Sequence, residues 1–434
     1  MNDSNARTLW TRRQALGALA AAAGCALLPA QTGQGTGIGK PSKEDEAFLD
    51  DLERQGCLFF WEQGSPKTGQ VLDRARNNLN GSLDPRRMAS TAATGFGLTA
   101  LSIADRRGYL PHAQIVERVR TTLHWHLNSL PEVHGFFYHF SDIETGVRFP
   151  GVELSSIDSS LLLCGILTAR AYFDDAQIKS LAQQIYERVD WPWMLNGGKT
   201  FSMGWHPEKG FLEARWERYC ELMMIYLLAI GSPSHPVDPA CWLAWTRPKM
   251  SYAGFDFITA VDPLFVHQYS HAWFDFRNQR DAFTDYFANS ILATRAHEAF
   301  CLSIGRPYST DYWGITSSES RHGYIAWGGP PSFGGIDGSV VPCATAGSLP
   351  FLPVACLRVL RSLKDKYGKL AWGRYGFCDA FDADENWYGP NVLGIDVGIS
   401  VLMAENLRTG FVWETFKRNR EIPLAMKRAG FKST

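Results

Sequence analysis

The stretch "EARWERYCELMMIYLLAIGSPSHP", residues 213–236, decides how the chain is read. It ends in an unbroken apolar run from Leu222 to Ile230, yet opens with Glu213, Glu217 and Glu221, spaced four apart. A helix over 214–230 would stack those three carboxylates on one side, and like charges at that spacing repel by roughly a few tenths of a kcal/mol each. The second half of such a helix is apolar all round, which marks a buried core helix. It falls well short of the roughly 20 residues a membrane span needs. The helix dipole accounts for acids in a first turn, hence for Glu213 and Glu217. Glu221 lies about two turns in, against "LMMIYLLAI", where partial desolvation raises a carboxyl pKa and suits it to donate a proton. Arg215 and Arg218 offer the alternative of a structural ion network.

Outward from this stretch the helical period dominates. It predicts helices over 43–61, 91–107, 112–129, 157–173, 176–189, 214–230, 281–302, 346–365 and 397–408. Many of these end at Gly or Gly/Pro clusters. Strand signals are short: "HGFFYHFSD" and "GKTFSMGW" read as hairpin arms. Aromatic, Gly-rich loops over 192–213, 304–345 and 370–396 are of a length that usually carries function. The pattern is that of one all-α domain over 43–434, a toroid of helix hairpins, although no repeat of fixed period shows.

The chain has 434 residues, 43 basic and 44 acidic, for a net charge of −1. With no basic field to draw phosphate, nucleic acid is excluded as a partner. Its 15 Trp, 15 Tyr and 26 Phe must mostly fill a core, and the remainder offer flat apolar platforms suited to sugar rings. Residues 1–30 read as a twin-arginine export signal: Arg7, Arg12 and Arg13, a weakly apolar run from Ala15 to Leu28, and cleavage after Ala30. Processing at Cys25, with a lipid anchor, is the alternative. A periplasmic protein is expected either way. Residues 31–42 read as a flexible linker. The "GQGTGIGKPS" within it is not a phosphate loop, because Gln34 stands where Gly is required and Pro41 follows Lys40. The cysteines stand singly with no C-x-x-C pair, as buried thiols do.

No G-x-S-x-G elbow is present. "HQYSH" places His267 and His271 four apart, but Gln268 occupies the slot of the zincin base, so two hydrogen-bonding histidines are expected and no metal. Carboxylates remain. In "GVELSSIDSSLLLCGIL", Ser155 and Asp158 form a capping box, which leaves Glu153 outside the helix to face a cleft. Asp396 is placed as the N-cap of a helix beginning near Val397, from which it can also serve a water. In "SHAWFDFRN", Asp275 and Arg277 read first as an ion pair beside Trp273. "YGFCDAFDADENWY" interleaves Tyr375, Asp379, Asp382 and Trp387, a mixture that suits sugar hydroxyls.

Taken in order, "WERYCELMMIYLLAIGSPSHP", "HQYSHAWFDFRN", "NSILATRAH", "YWGITSS", "DGSVVPCATAGSLPFLP", "YGFCDAF" and "GIDVGISVLMAENLRTG" carry a specific likeness. From about Ser42 to Phe431 the chain resembles the bacterial glucoamylase-like domain of glycoside hydrolase family 144, the β-1,2-glucan-degrading enzymes. The resemblance implies an (α/α)6 barrel with its cleft at one end and inverting hydrolysis of β-1,2-glucosidic bonds. It implies Glu221 as the acid and Asp396 as the general base, with Glu153, Asp142, Asp275 and Arg277 lining sugar subsites. Glu217, Trp273, Trp313, Tyr324, Tyr375 and Asp379 complete the expected substrate contacts. The expected partner is a glucan and the expected state a monomer, with no metal or organic cofactor implied. The chain departs from the family pattern at Val397 and Ile399, where Gln and Pro are usual, and at Asp382, where Asn is usual. Rival readings are a retaining transglycosylase, a glycosidase of another linkage, and a noncatalytic glycan-binding protein of the envelope.

Overall fold

In the computed structural model, which describes residues 41–260, 263–328, 330 and 335–434, the ring is built from two kinds of helix. Setting aside the short helices Trp191–Leu195, Cys241–Ala244 and Phe411–Phe416, they are α1 (Lys43–Glu62), α2 (Thr91–Arg107), α3 (His112–Asn128), α4 (Ser156–Tyr172), α5 (Ala176–Glu187), α6 (Met223–Gly231), α7 (Tyr269–Trp273), α8 (Tyr286–Ile304), α9 (Pro342–Ala346), α10 (Pro353–Ala371), α11 (Gly394–Arg408) and α12 (Glu421–Arg428). Burial separates the two kinds. In α2, α4, α6, α7, α9 and α11 nearly every residue is inaccessible, whereas α1, α3, α5, α8, α10 and α12 bury one face. The first set is apolar on all sides and the second amphipathic, so the first forms an inner ring and the second a surrounding layer. The expected export signal and all but the last two residues of the expected linker lie outside the described residues. Among the described residues no helix is long and apolar enough to cross a membrane.

The inner ring runs α2–α4–α6–α7–α9–α11 and back to α2. Contacts between α4 and α6 and between α11 and both α9 and α2 fix this order. Ser270 stitches α6 to α7: its hydroxyl donates to the Glu221 carbonyl at 2.7 Å and accepts from the Met224 amide at 3.1 Å. Gln268 stitches α7 to α9 by donating to the Ala344 carbonyl at 2.8 Å. At the α2–α4 crossing the two backbones touch through glycines. A Cβ on Gly165 would lie 2.0 Å from the Gly95 carbonyl oxygen, and one on Gly95 would lie 2.2 Å from the Leu161 carbonyl oxygen. Gly165→Ala is therefore expected to cost about 3 kcal/mol by overpacking two rigid helices. A fall in the urea midpoint without a change in slope checks it.

Short strands deliver the chain to the starts of the inner helices. Met88–Ser90 lies between Val71–Leu72 and Phe140–Asp142 and leads into α2. Leu154–Ser155 pairs with Gly204–His206 and leads into α4, while Asn391–Leu393 pairs with Arg74–Arg76 and leads into α11. Ser90 and Ser155 cap α2 and α4 by accepting from the Ala93 and Asp158 amides. The N-terminal ends of these inner helices thus gather at one end of the toroid, wrapped by the polar hairpins.

Expectations of local structure are corrected in three places, the first being the helix predicted over 346–365, which runs instead over Pro353–Ala371 after the short α9. The helix predicted over 214–230 begins only at Met223, so Glu213, Glu217 and Glu221 form no column. Extended bonding wins over residues 213–221. Arg215 bridges to Ser202, Arg218 bridges to Thr246, and the Trp216 indole donates to Ser156 Oγ at 2.8 Å. The repulsive stacking is thereby avoided. Asp396 is not an N-cap either: α11 starts at Gly394, whose amide donates to the Asp73 carbonyl at 2.8 Å, which puts Asp396 inside the first turn.

Candidate active site

Glu221 sits two residues before α6, at the mouth of the most apolar inner helix, with 6% of its surface accessible. Arg215 does not neutralise it: that guanidinium donates to the Leu195 carbonyl at 2.7 Å and to the hydroxyl and carbonyl of Thr200. Asp396, 5% accessible, projects from the first turn of α11. Both carboxylates thus stand where an inner helix begins, Glu221 just before α6 and Asp396 in the first turn of α11. Two buried acids so placed can divide the work of proton donor and proton acceptor between them.

Around Asp396 the acids form a connected network. The Asp379 carboxyl, 4% accessible, lines the same small cavity as Asp396, and it accepts from the Glu319 amide at 2.6 Å. Burial, then the neighbouring Asp396 and Glu319 charges, push Asp379 well above the ordinary carboxylate range. Glu319 lies on the hairpin Ser317–Ser320/Gly323–Ala326. Its carboxylate accepts from Arg74 at 3.0 Å and from Asn391 at 2.8 Å, and Arg74 also pairs with Asp73 at 2.8 Å. Tyr324 faces Glu319 across the hairpin and is half-buried.

A second polar group lies at the start of α4. His139 presents Nδ1 to Glu153 at 3.1 Å and Nε2 to Asp158 at 3.5 Å, and Ser155 Oγ donates to Asp158. Its ring stacks on Phe140 at 3.8 Å. Glu153 is thus outside the helix, as expected, and 5% accessible.

The other expected contacts divide. Glu217 is exposed, and its carbonyl accepts from the Thr246 hydroxyl at 3.1 Å. Asp142 makes a two-point ion pair with Arg87, which holds its carboxyl below the usual carboxylate range, and it also accepts from the Thr145 amide at 2.9 Å. Tyr375 is buried, its hydroxyl donating to Glu62 at 3.0 Å. Trp273 and Trp313 are fully buried, so neither ring has a face to offer a sugar. The Trp273 indole donates to Thr99 Oγ1 at 2.9 Å and its ring packs on Phe96, so it is core. Asp275 and Arg277 bind one another at two points beyond the C-terminal end of α7, with the guanidinium 4.1 Å over Trp413. That is the opposite end of the ring from Glu221. Their pairing was the default reading of the sequence, and it removes them from the subsites.

Reasoning from sequence missed Arg74, Glu319, Asn391 and His139. The Arg74–Glu319 pair spans 245 residues, so no local pattern announces it. Among the described residues no group of three or more His, Cys, Asp or Glu is placed to hold a metal ion. His267 and His271 are buried and hydrogen-bonded, to Tyr219 and Ser290 at 3.1 Å each.

Comparison with known proteins follows the same lines. Residues 213–420 match the family model described as putative glucoamylase. The chain is 28% identical over 422 residues to an exo β-1,2-glucooligosaccharide sophorohydrolase (non-reducing end) of Parabacteroides distasonis. That match covers 87% of this chain and 57% of the relative, so the chain spans little more than half the relative's length. Among solved structures, an endo-β-1,2-glucanase from Chitinophaga pinensis, in complex with sophorotriose and glucose, superimposes with a TM-score of 0.83 at 26% identity, covering 90% of this chain and 99% of that one. A putative glucoamylase from Bacteroides uniformis superimposes with a TM-score of 0.84 at 25% identity, covering 91% and 99%. The (α/α)6 toroid expected from the sequence is the fold these neighbours share.

Proposed function

We propose, from the premise that this is a glucoamylase-like α/α-toroid chain of the β-1,2-glucanase type, that it hydrolyses β-1,2-glucosidic bonds of β-1,2-glucan or its oligosaccharides. The observation that carries the chemistry is the placement of two buried carboxylates, Glu221 just before α6 and Asp396 in the first turn of α11, each where an inner helix begins. Glu221 protonates the departing glycosidic oxygen while Asp396 takes a proton from the attacking water. Displacement from the opposite face inverts the anomeric carbon. Direct action of this kind needs carboxyls roughly 6.5–9.5 Å apart, or a longer gap if a water or sugar hydroxyl relays the proton.

Glu153 and Tyr324 are proposed sugar contacts, joined by Arg74 and Asn391 through the Glu319 carboxylate they orient. Glu217, which is exposed, and Asp142, which pairs with Arg87, are further proposed sugar contacts. Export through the twin-arginine route is a further proposal, resting on Arg12, Arg13 and the Ala15 to Leu28 run.

Incubation with linear glucans of defined linkage tests the function. Release of short oligosaccharides from β-1,2-glucan, with β-1,3, β-1,4 and β-1,6 glucans at least about 100-fold slower, is the expected outcome, because a pocket built on hydroxyl contacts rejects misplaced hydroxyls strongly. Proton NMR of the earliest product should show the α-anomer. A first-formed β-anomer means retention, and binding with no turnover means a glycan-binding protein.

A further inference from the structure

Asp379 and Asp396 reach one spot from two directions. Asp379 follows the strand Gly376–Phe377, and its amide donates to the Asn391 carbonyl at 2.9 Å, which fastens it to the strand leading into α11. One Asp379 oxygen accepts the Glu319 amide; the other, Oδ1, is buried and meets no donor. Behind the pair lies a small cavity between α1, α9 and α11, lined by Leu52, Gly56, Val397 and Val401 together with Cys343 and Ser400. Those walls are largely apolar and solvate charge poorly. The ionisable groups facing Asp379 are Asp396 on α11, Glu319 on its hairpin, Arg74 beyond Glu319, and the thiols Cys343 on α9 and Cys378. The only cation among them, Arg74, is hydrogen-bonded to Asp73 and Glu319. Two ionised carboxylates cannot share such a place.

We infer that Asp379 is a protonated positioning residue that donates its proton as a hydrogen bond to the Asp396 carboxylate, so that the pair carries a single negative charge. The inference rests on the reading of Asp396 as the base. Asp396 is then held ionised and oriented to receive the water's proton, while Asp379 keeps its own throughout. The sequence placed Asp379 among the sugar contacts; the geometry points instead to a partner of the base.

Asparagine mimics this protonated form: its Oδ1 accepts the Glu319 amide and its Nδ2 donates toward Asp396. Leucine fills the space and does neither. On β-1,2-glucan, Asp379→Leu should lower kcat about 100-fold and move the acidic limb of kcat/KM upward by about one pH unit, because the carboxylate of Asp396 loses its donor. Asp379→Asn should be at least about 30-fold faster than the leucine variant, with the limb near its original place. Equal losses in the two variants, or an acidic limb unmoved by leucine, overturn the inference. Infrared difference spectra do not depend on turnover or on the leucine variant folding. The protein at pH 7 should show the carbonyl stretch of a protonated carboxylic acid that Asp379→Asn lacks, and its absence overturns the inference too. Asp396→Asn, assayed alongside, tests the parent reading. Full turnover in that variant removes Asp396 as the base, while the infrared band still judges the shared proton.

Discussion

Glu221→Gln is expected to lower kcat on linear β-1,2-glucan by about 1,000-fold or more, close to the upper range for loss of a general acid. The substitution keeps the side chain's shape and a polar head but removes the transferable proton. The backbone anchor persists in the variant: the Ser270 hydroxyl bonds to the Glu221 carbonyl, which glutamine retains, and Arg215 is bound to Leu195 and Thr200. The urea midpoint should therefore stay near that of the parent, which separates lost chemistry from lost fold. An aryl sophoroside provides the sharper readout. A nitrophenolate leaves without protonation, so the deficit should shrink to about 10-fold or less if Glu221 is the acid. A deficit of the same size on both substrates would mean that Glu221 binds or positions the sugar, and the proton donor would have to be sought elsewhere.

The sequence announces the inner ring because burial leaves its mark on every residue of a helix. "LLLCGILTA" and "LMMIYLLAI" have no polar side, and the structure places both with nearly no accessible surface. The outer helices were legible for the opposite reason, one apolar stripe each, and α1 to α5 begin and end within two residues of expectation. Where the reading failed, non-local bonding outweighed local pattern. The spacing of Glu213, Glu217 and Glu221 satisfies helical geometry, yet a tryptophan bonded to Ser156 and an arginine bonded to Thr200 hold those residues extended. Asp396 had the look of a cap. A strand pairing with Arg74–Arg76 starts α11 earlier, and that frees the carboxyl for Asp379 instead of for its own helix. Trp273 and Trp313 show the limit of composition: an indole suits a sugar and a core equally well, and only exposure decides. The site was thus legible as two acidic motifs, whereas its network of Arg74, Glu319, Asn391 and His139 exists only once the ring closes.

The buried histidines set the second large effect, a steep loss of stability in acid. His267, His271 and His297 are fully buried, and burial draws each from 6.5 to about 3. His267 is lowered further by His297, and His271 by His267, so protonating one opposes protonating the next. A group whose folded pKa is depressed stabilises the fold fully above its unfolded pKa. That contribution is lost as pH falls from about 6.5 toward 3. Between pH 7 and pH 5 each such histidine should cost about 2 kcal/mol, a large part of a typical stability when three act together. Asp379 and Glu298 act in the opposite sense, since burial raises both and acid therefore favours their folded forms. A pairwise comparison cancels those carboxyl contributions. His297 Nε2 accepts the Ile315 amide at 3.0 Å, so the ring must stay unprotonated there to hold that bond, and glutamine can offer an oxygen in its place without titrating. His297→Gln is expected to be the less stable protein at pH 7 because its packing is poorer. Urea titrations should show that gap closing by about 2 kcal/mol at pH 5. A gap that stays constant with pH would mean that His297 remains neutral in the unfolded chain or is charged in the folded one, and the acid sensitivity would then have to come from elsewhere.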